Sequence, residues 1–167
     1  MKKIIILMLS YNGKILLKEA IESYINNDYP NSELIIIDNG STDNTKEYVE
    51  QHWPEVEVLR TEKNLGYAGG FNFGMNYAFN KRNADYALLT NNDVKADKTV
   101  LTELEKVAEK DQKIGFVTGK VYYYDNPDTL QTVGFYEDNL KWIGGHLGNK
   151  EIDKGQFDKI EERPFSD

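Results

Sequence analysis

Cysteine is absent from this chain, which excludes a disulfide framework and thiolate chemistry. Basic charge is also short: 20 Lys and Arg stand against 28 Asp and Glu, a net charge of −8. That balance argues against nucleic acid as a partner, and no basic patch marks an anionic lipid surface. The two histidines, His52 and His146, stand apart from any metal-ligand spacing and read as surface or packing residues. No apolar run approaches the roughly 20 residues of a membrane span. The run Ile4–Leu9 behind Met1-Lys2-Lys3 is too short for a signal peptide and has no small-residue cleavage site after it. What remains is a cytoplasmic globular chain of 167 residues, a length suited to one domain.

The run Ile4–Leu9 is instead a central parallel strand covered on both faces, because it is continuously apolar and rich in β-branched residues. It ends in the polar turn Ser10-Tyr11-Asn12-Gly13. A helix of about Lys14 to Asn26 follows, its apolar face including Ile15, Leu16, Ala20, Ile21, Tyr24 and Ile25. Glu33–Ile37 is a second strand ending at Asp38. After the loop Asn39–Asp43, in which Ser41 or Thr42 caps the next element, comes a helix to Gln51. Val56–Arg60 alternates and reads as a third strand. The glycine-rich stretch Lys63–Gly74 leads into a helix of about Gly69–Lys81. Asp85–Thr90 is a fourth strand, followed by Asn91-Asn92-Asp93 and a charged amphipathic helix over Lys98–Lys110. Lys113–Tyr124 reads as a fifth strand or strand pair.

Beyond Asp125 the pattern weakens. Asp125–Asp128 is a turn, Leu130–Phe135 and Leu140–Ile143 are short antiparallel strands, and Gly144–Gly148 is a flexible loop. Glu151–Asp167 is polar, with Asp153 and Asp158 as surface charges. Strands alternating with helices predict an α/β fold with a mostly parallel central sheet flanked by helices.

In such a sheet four polar clusters converge on the carboxyl edge, where open α/β sheets bind ligands. They are Ser10–Asn12, Asp38–Asp43, Asn64–Gly74 and Asn91–Asp93. Asp93 is a hard oxygen ligand suited to Mg²⁺ or Mn²⁺ held together with phosphates. Asp38 can accept from a base N–H or ribose hydroxyls, and the glycine-rich loop can present N–H groups near phosphate. Gly66, Gly69 and Gly70 serve either close ligand approach or tight helix–sheet packing. A dinucleotide-binding fingerprint belongs directly after the first strand, where Ser10-Tyr11-Asn12-Gly13 stands, and no Walker A loop is present. A nucleotidyltransferase would carry a basic, glycine-rich loop there.

Taken together, Ser10-Tyr11-Asn12, Asp38–Asp43, Asn64–Gly74 and Asn91-Asn92-Asp93-Val94 resemble, in order and spacing, the motif series of family-2 glycosyltransferases with the GT-A fold. The rhamnosyl- and galactofuranosyl-transferase-like group is the nearest in flavour. The resemblance runs from Ile4 to about Val121 and more loosely to Phe157. It implies inverting transfer of a sugar from a nucleotide-diphosphate donor (UDP-, dTDP- or GDP-linked) to a hydroxyl of a glycan or lipid-linked acceptor, in cell-envelope polysaccharide or glycan synthesis. It implies a donor site of Ser10, Tyr11, Asn12, Asp38, Gly40, Ser41, Asn64, Gly66, Gly69, Asn72, Asn91 and Asn92, with Tyr11 and Asp38 at the base. Asp93 would hold a divalent cation, Mg²⁺ or Mn²⁺. Asn91 and Asn39 stand where many relatives have aspartate.

The family's catalytic base is an acidic residue on a later segment, and nothing after Asp125 looks like it; Glu161-Glu162 lies in a polar tail. The expectation is therefore a truncated form. Residues 1–124 form the donor-binding domain and 125–167 a partial start of the acceptor-side region. No catalytic residue is assigned, and the alternative is a non-catalytic module that binds nucleotide sugars or a protein. Uncovered apolar surface on the acceptor side predicts a homodimer. The full-length protein would work at the inner face of the membrane.

Overall fold

The computed structural model describes residues 1–138 and 143–162. The elements run β1 (Ile4–Ser10), α1 (Leu17–Ile25), β2 (Ser32–Asp38), α2 (Thr45–His52), β3 (Glu57–Arg60), α3 (Gly66–Lys81), β4 (Tyr86–Asn91) and α4 (Val100–Ala108). Then come β5 (Val121–Tyr123), β6 (Asn126–Thr132), β7 (Phe135–Asp138) and β8 (Ile143–His146). They form two units, Met1–Thr102 and Glu103–Asp167, whose boundary falls within α4.

The first unit is built on a parallel sheet of order β3-β2-β1-β4. β1 sits inside, and its successive side chains go to opposite faces. Ile4, Ile6 and Met8 pack with Leu17, Ile21 and Tyr24 of α1, with Val49 of α2 and with Leu101 of α4. Ile5 and Leu7 pack with Ile35 and Ile37 of β2 and with Phe71 and Ala78 of α3. Two covered faces are why the strand is apolar throughout. The register sets Ser10 opposite Asp38, Asp38 opposite Arg60, and Leu9 opposite Asn91. All four strands therefore end together, and their following loops share one edge.

Helix α3 lies close to the sheet because Gly70 and Gly74, one turn apart, face it. A Cβ on Gly74 would lie 2.3 Å from Ile37 Cδ1, and one on Gly70 2.5 Å from Leu9 Cδ1. These two glycines serve packing. Gly66 differs: nothing lies within 4 Å of its Cβ position, and its φ of +73° is what calls for glycine.

α1 starts at Leu17 and not Lys14, so Ile15 and Leu16, read as apolar-face positions, are 91% and 52% exposed. Ser41 and Thr42 do not cap α2. Asp43 does the work: its Oδ1 accepts from the N–H and hydroxyl of Thr45 at 3.1 and 2.5 Å.

The second unit departs further from expectation. Lys113–Tyr124 is strand only over Val121–Tyr123, which pairs antiparallel with β6 through two register shifts. The expected turn at Asp125–Asp128 is already β6 from Asn126, and Gly134, at φ +119°, separates β6 from β7. Gly144 and Gly145 lie in β8, paired with β7, so the expected flexible loop is strand as far as His146. Of the expected strand Leu140–Ile143, residues 140–142 lie outside the described residues, as do 163–167 of the tail. The polar stretch after Glu151 is tied in: Ile152 bridges Thr129. Asp153 and Asp158 both meet Lys120 Nζ, at 2.7 and 2.5 Å; Asp158 is the exposed surface charge expected, whereas Asp153 is partly buried.

Candidate functional site

All four loops at the carboxyl edge are bonded to a neighbour through residues the sequence singled out. The N–H of Asn12 donates to Ser41 Oγ at 3.0 Å, and Asn12 Oδ1 accepts from the Thr42 N–H at 2.8 Å. Asn12 holds φ +51°, a conformation asparagine tolerates better than most residues. Ser10 is buried, and its Oγ accepts from Asn92 Nδ2 at 3.1 Å; the same Nδ2 reaches the Gly13 carbonyl at 3.3 Å. A Cβ on Gly13 would fall 2.0 Å from Asn92 Nδ2, so glycine there makes room for this latch.

Asp38 is completely buried. Its Oδ1 accepts from the Ser41 N–H at 2.9 Å. Its Oδ2 lies 3.2 Å from Arg60 Nη1, close enough for an ion pair, yet no donor directs a hydrogen bond at it. Arg60 also donates to the Ser41 carbonyl at 2.7 Å. Asp43 receives the Lys14 N–H at 3.1 Å. Burial pushes the Asp43 carboxyl up, but the Thr45 hydroxyl and the N–H groups of Lys14 and Thr45 outweigh it and leave it below the usual carboxylate range.

At the start of α3, the Leu65 N–H donates to Asn39 Oδ1 at 3.0 Å and the Gly66 N–H to Asn64 Oδ1 at 2.7 Å. The second of these bonds takes up the first amide of the helix, which begins at Gly66 and not at Gly69. The N–H groups of Tyr67 and Ala68, also in the first turn, have no intrahelical acceptor.

The remaining residues are different. Among the described residues, no hydrogen bond or ion pair takes the side chains of Tyr11, Asn72, Asn91 or Asp93, and all four are exposed. The triplet Asn91-Asn92-Asp93 therefore splits: its middle member is turned onto Ser10 and Gly13, and its outer members are free. Gly69 makes only a local approach, its Cβ position lying 2.9 Å from Leu65 Cβ.

Sequence reasoning missed Arg60 as the partner of Asp38, and Gly13 as the seat of Asn92. The first had a signal: a carboxylate ending a buried strand needs a cation, and in parallel register the next strand ends on arginine at the matching position.

A parallel sheet of this order flanked by helices is an α/β fold of the GT-A kind. A solved mannosyltransferase, PcManGT from Pyrobaculum calidifontis in complex with GDP-Man and Mn²⁺, shares it with a TM-score of 0.60. It is 22% identical, and the match covers 73% of this chain and 36% of that one. The chain belongs to glycosyl transferase family 2, whose model matches residues 5–161. Among its relatives, the glycosyltransferase GlyG of Streptococcus pneumoniae is 31% identical over 121 residues. The galactofuranosyltransferase GlfT1 of Mycolicibacterium smegmatis is 29% identical over 124 residues. These matches cover 71% and 74% of this chain but only 38% and 40% of the relatives' lengths.

Proposed function

We propose that this chain binds a nucleotide-diphosphate sugar at the carboxyl edge of the first unit's sheet, for inverting transfer of the sugar to an acceptor hydroxyl. The observation that carries the reading is the split of Asn91-Asn92-Asp93. Asn92 is turned onto Ser10 and Gly13 and anchors the loop, and this leaves Asn91 and Asp93 free at the edge where four loops meet.

The roles follow from what each group still offers. Tyr11 presents a half-exposed ring for a base to stack on. Asp38 has one buried oxygen without a hydrogen bond, suited to a base or ribose donor. The open N–H groups of Tyr67 and Ala68 suit the diphosphate, beside the exposed Asn72. Asp93, with Asn91 as a weaker oxygen ligand, would hold Mg²⁺ or Mn²⁺. One carboxylate and one amide fit that chemistry, because these ions complete their shell with phosphate and water. No group of three His, Cys, Asp or Glu side chains that could hold a metal occurs among the described residues, and the reading has the cation shared with the donor's phosphates. When bound it would neutralise charge on the leaving diphosphate.

Residues 1–124 then carry the donor side and 125–167 begin the acceptor side, toward a glycan or lipid-linked acceptor in cell-envelope synthesis. The 29% identity to GlfT1 supports the galactofuranosyl- and rhamnosyl-transferase-like group as the finer placement. No helix of the described residues is long and apolar enough to cross a membrane, and the reading places the site on the cytoplasmic face. A homodimer through exposed apolar surface belongs to the same reading; gel filtration across concentration tests it. No catalytic base is assigned, and Glu161 pairs with Lys159 at 3.3 Å.

The test is calorimetric titration with UDP, dTDP and GDP, first with Mn²⁺ and then with EDTA. One nucleotide is expected to bind, and only with the metal. Asp93→Ala should abolish that binding and leave unfolding unchanged, since the exposed carboxylate bonds to nothing. Unchanged metal-dependent binding in the variant removes Asp93 from the site. Failure of all three nucleotides with the unaltered chain overturns the donor reading.

A further inference from the structure

Asn39 follows β2 directly and is 2% exposed. Its amide is committed at both ends. Oδ1 accepts from the Leu65 N–H at 3.0 Å, while Nδ2 donates to the Gly66 carbonyl and to Asn64 Oδ1, each at 3.1 Å. Asn64 Oδ1 in turn accepts from the Gly66 N–H. Two of these partners are backbone groups of fixed polarity, so they determine which end of the amide faces which. A carboxylate of the same shape could still accept from Leu65, but it would set acceptor against acceptor at Gly66 and Asn64.

The residue is anchored from behind as well. Its own N–H donates to the Ser10 carbonyl at 2.9 Å. Next to it, Gly40 holds φ +77°, and a Cβ there would lie 2.6 Å from the Lys63 carbonyl carbon, so the two loops touch backbone to backbone. A Cβ on Gly70 would lie 3.2 Å from Asn39 Nδ2, so α3 rests on the amide just beyond its first turn.

We propose that Asn39 is a positioning residue. It fixes the glycine-rich loop and the first turn of α3 against the end of β2, so that the open N–H groups of that turn are set for a diphosphate before the donor arrives. The inference rests on the donor-binding reading above. It assigns Asn39 no contact with the base, because its amide has no hydrogen left to give. Preorganised donors bind more tightly because the ordering cost is met on folding and not on binding.

The experiment compares Asn39→Asp, Asn64→Asp and Asn64→Ala with the unaltered chain. Binding of UDP and GDP with Mn²⁺ is measured by calorimetry across pH, and exchange of the Leu65 and Gly66 amide hydrogens by NMR. Asn64→Asp keeps both acceptances, so the Leu65 and Gly66 amides should exchange as slowly as in the original chain. Asn39→Asp should lose about tenfold or more at neutral pH through an unpaired buried group. It should recover part of that, relative to the original chain at the same pH, when acid protonates the carboxyl and restores a donor. Asn64→Ala should bind more weakly than the unaltered chain and better than Asn39→Asp, with faster exchange at Gly66; its exposed position keeps the test open if Asn39→Asp fails to fold. Exchange quickened equally in both Asp variants would be general damage and would overturn the proposal, as would original binding and exchange in Asn39→Asp and Asn64→Ala. If the unaltered chain binds neither nucleotide, the donor reading fails and takes the positioning role with it. Exchange that still quickens only in Asn39→Asp and Asn64→Ala then separates that failure from an unfolded loop.

Discussion

The two units of this chain are held together by different means. In the first, Ile5, Ile6, Leu7 and Met8 of one strand are all within 1% of complete burial, between helices on both faces. In the second, Leu130 is the fully buried large apolar side chain among the described residues. Polar bonds do the joining there: Lys120 meets Asp153 and Asp158, the Tyr122 hydroxyl donates to Asp153 at 2.6 Å, and Asn149 Nδ2 reaches Tyr123 Oη at 3.0 Å. Where a sheet supplies the cohesion, the polar side chains at its edge are released to shape loops. Where it does not, the polar side chains are consumed in holding the chain to itself.

The largest expected effect tests the first half of that contrast. Leu7→Ala removes a fully buried side chain from a close-packed face and should cost about 2–5 kcal/mol in urea unfolding. Gly74→Ala comes next. It forces a methyl to within 2.3 Å of Ile37 Cδ1 and should cost about 1–3 kcal/mol by overpacking, with α3 lifted from the sheet. If Gly74→Ala were neutral, the close approach of α3 would not depend on glycine. The Asn39 network, which that approach presses upon, would then be looser than described.

The same contrast explains what was legible in the sequence. β1, β2 and β4 could be read because continuous apolar runs have few other solutions in an α/β chain, and their parallel order put Ser10, Asp38 and Asn91 on one edge. The helix starts could not be read as easily. Ile15 and Leu16 continue the helical spacing but lie ahead of the first turn, because spacing records a face and not where the backbone enters it. Among the site residues, the type of chemistry was visible but not the division of labour. Nothing in the triplet Asn91-Asn92-Asp93 says that the middle amide turns inward; that depends on Gly13, nearly eighty residues earlier, leaving it a seat. In the second unit, three-residue β5 and the ion cluster around Lys120 join segments 33 and 38 residues apart through groups that read locally as surface charge.

The smallest effect belongs to that cluster, and it is read by pH at the amides of the second unit. The Lys120 ammonium, then the Tyr122 hydroxyl and the Gly155 N–H, hold the Asp153 carboxyl down at about 2, below its ordinary value. A carboxylate with a depressed folded pKa contributes stability that is present above its unfolded value of about 3.9 and lost as pH falls through the folded one. The second unit should therefore loosen between about pH 4 and pH 2, seen as faster exchange at Gly155, whose N–H donates to Asp153 Oδ1. Lys120→Met should remove much of that window and slightly loosen the same amide at neutral pH. Raised salt should have a similar, weaker action, because the partners are partly exposed and screened. In both cases Leu7 and its neighbours in the first unit should keep their protection. If Lys120→Met lowered global stability as much as Leu7→Ala, polar bonds and apolar burial would be carrying equal weight, and the distinction between the two units would fall.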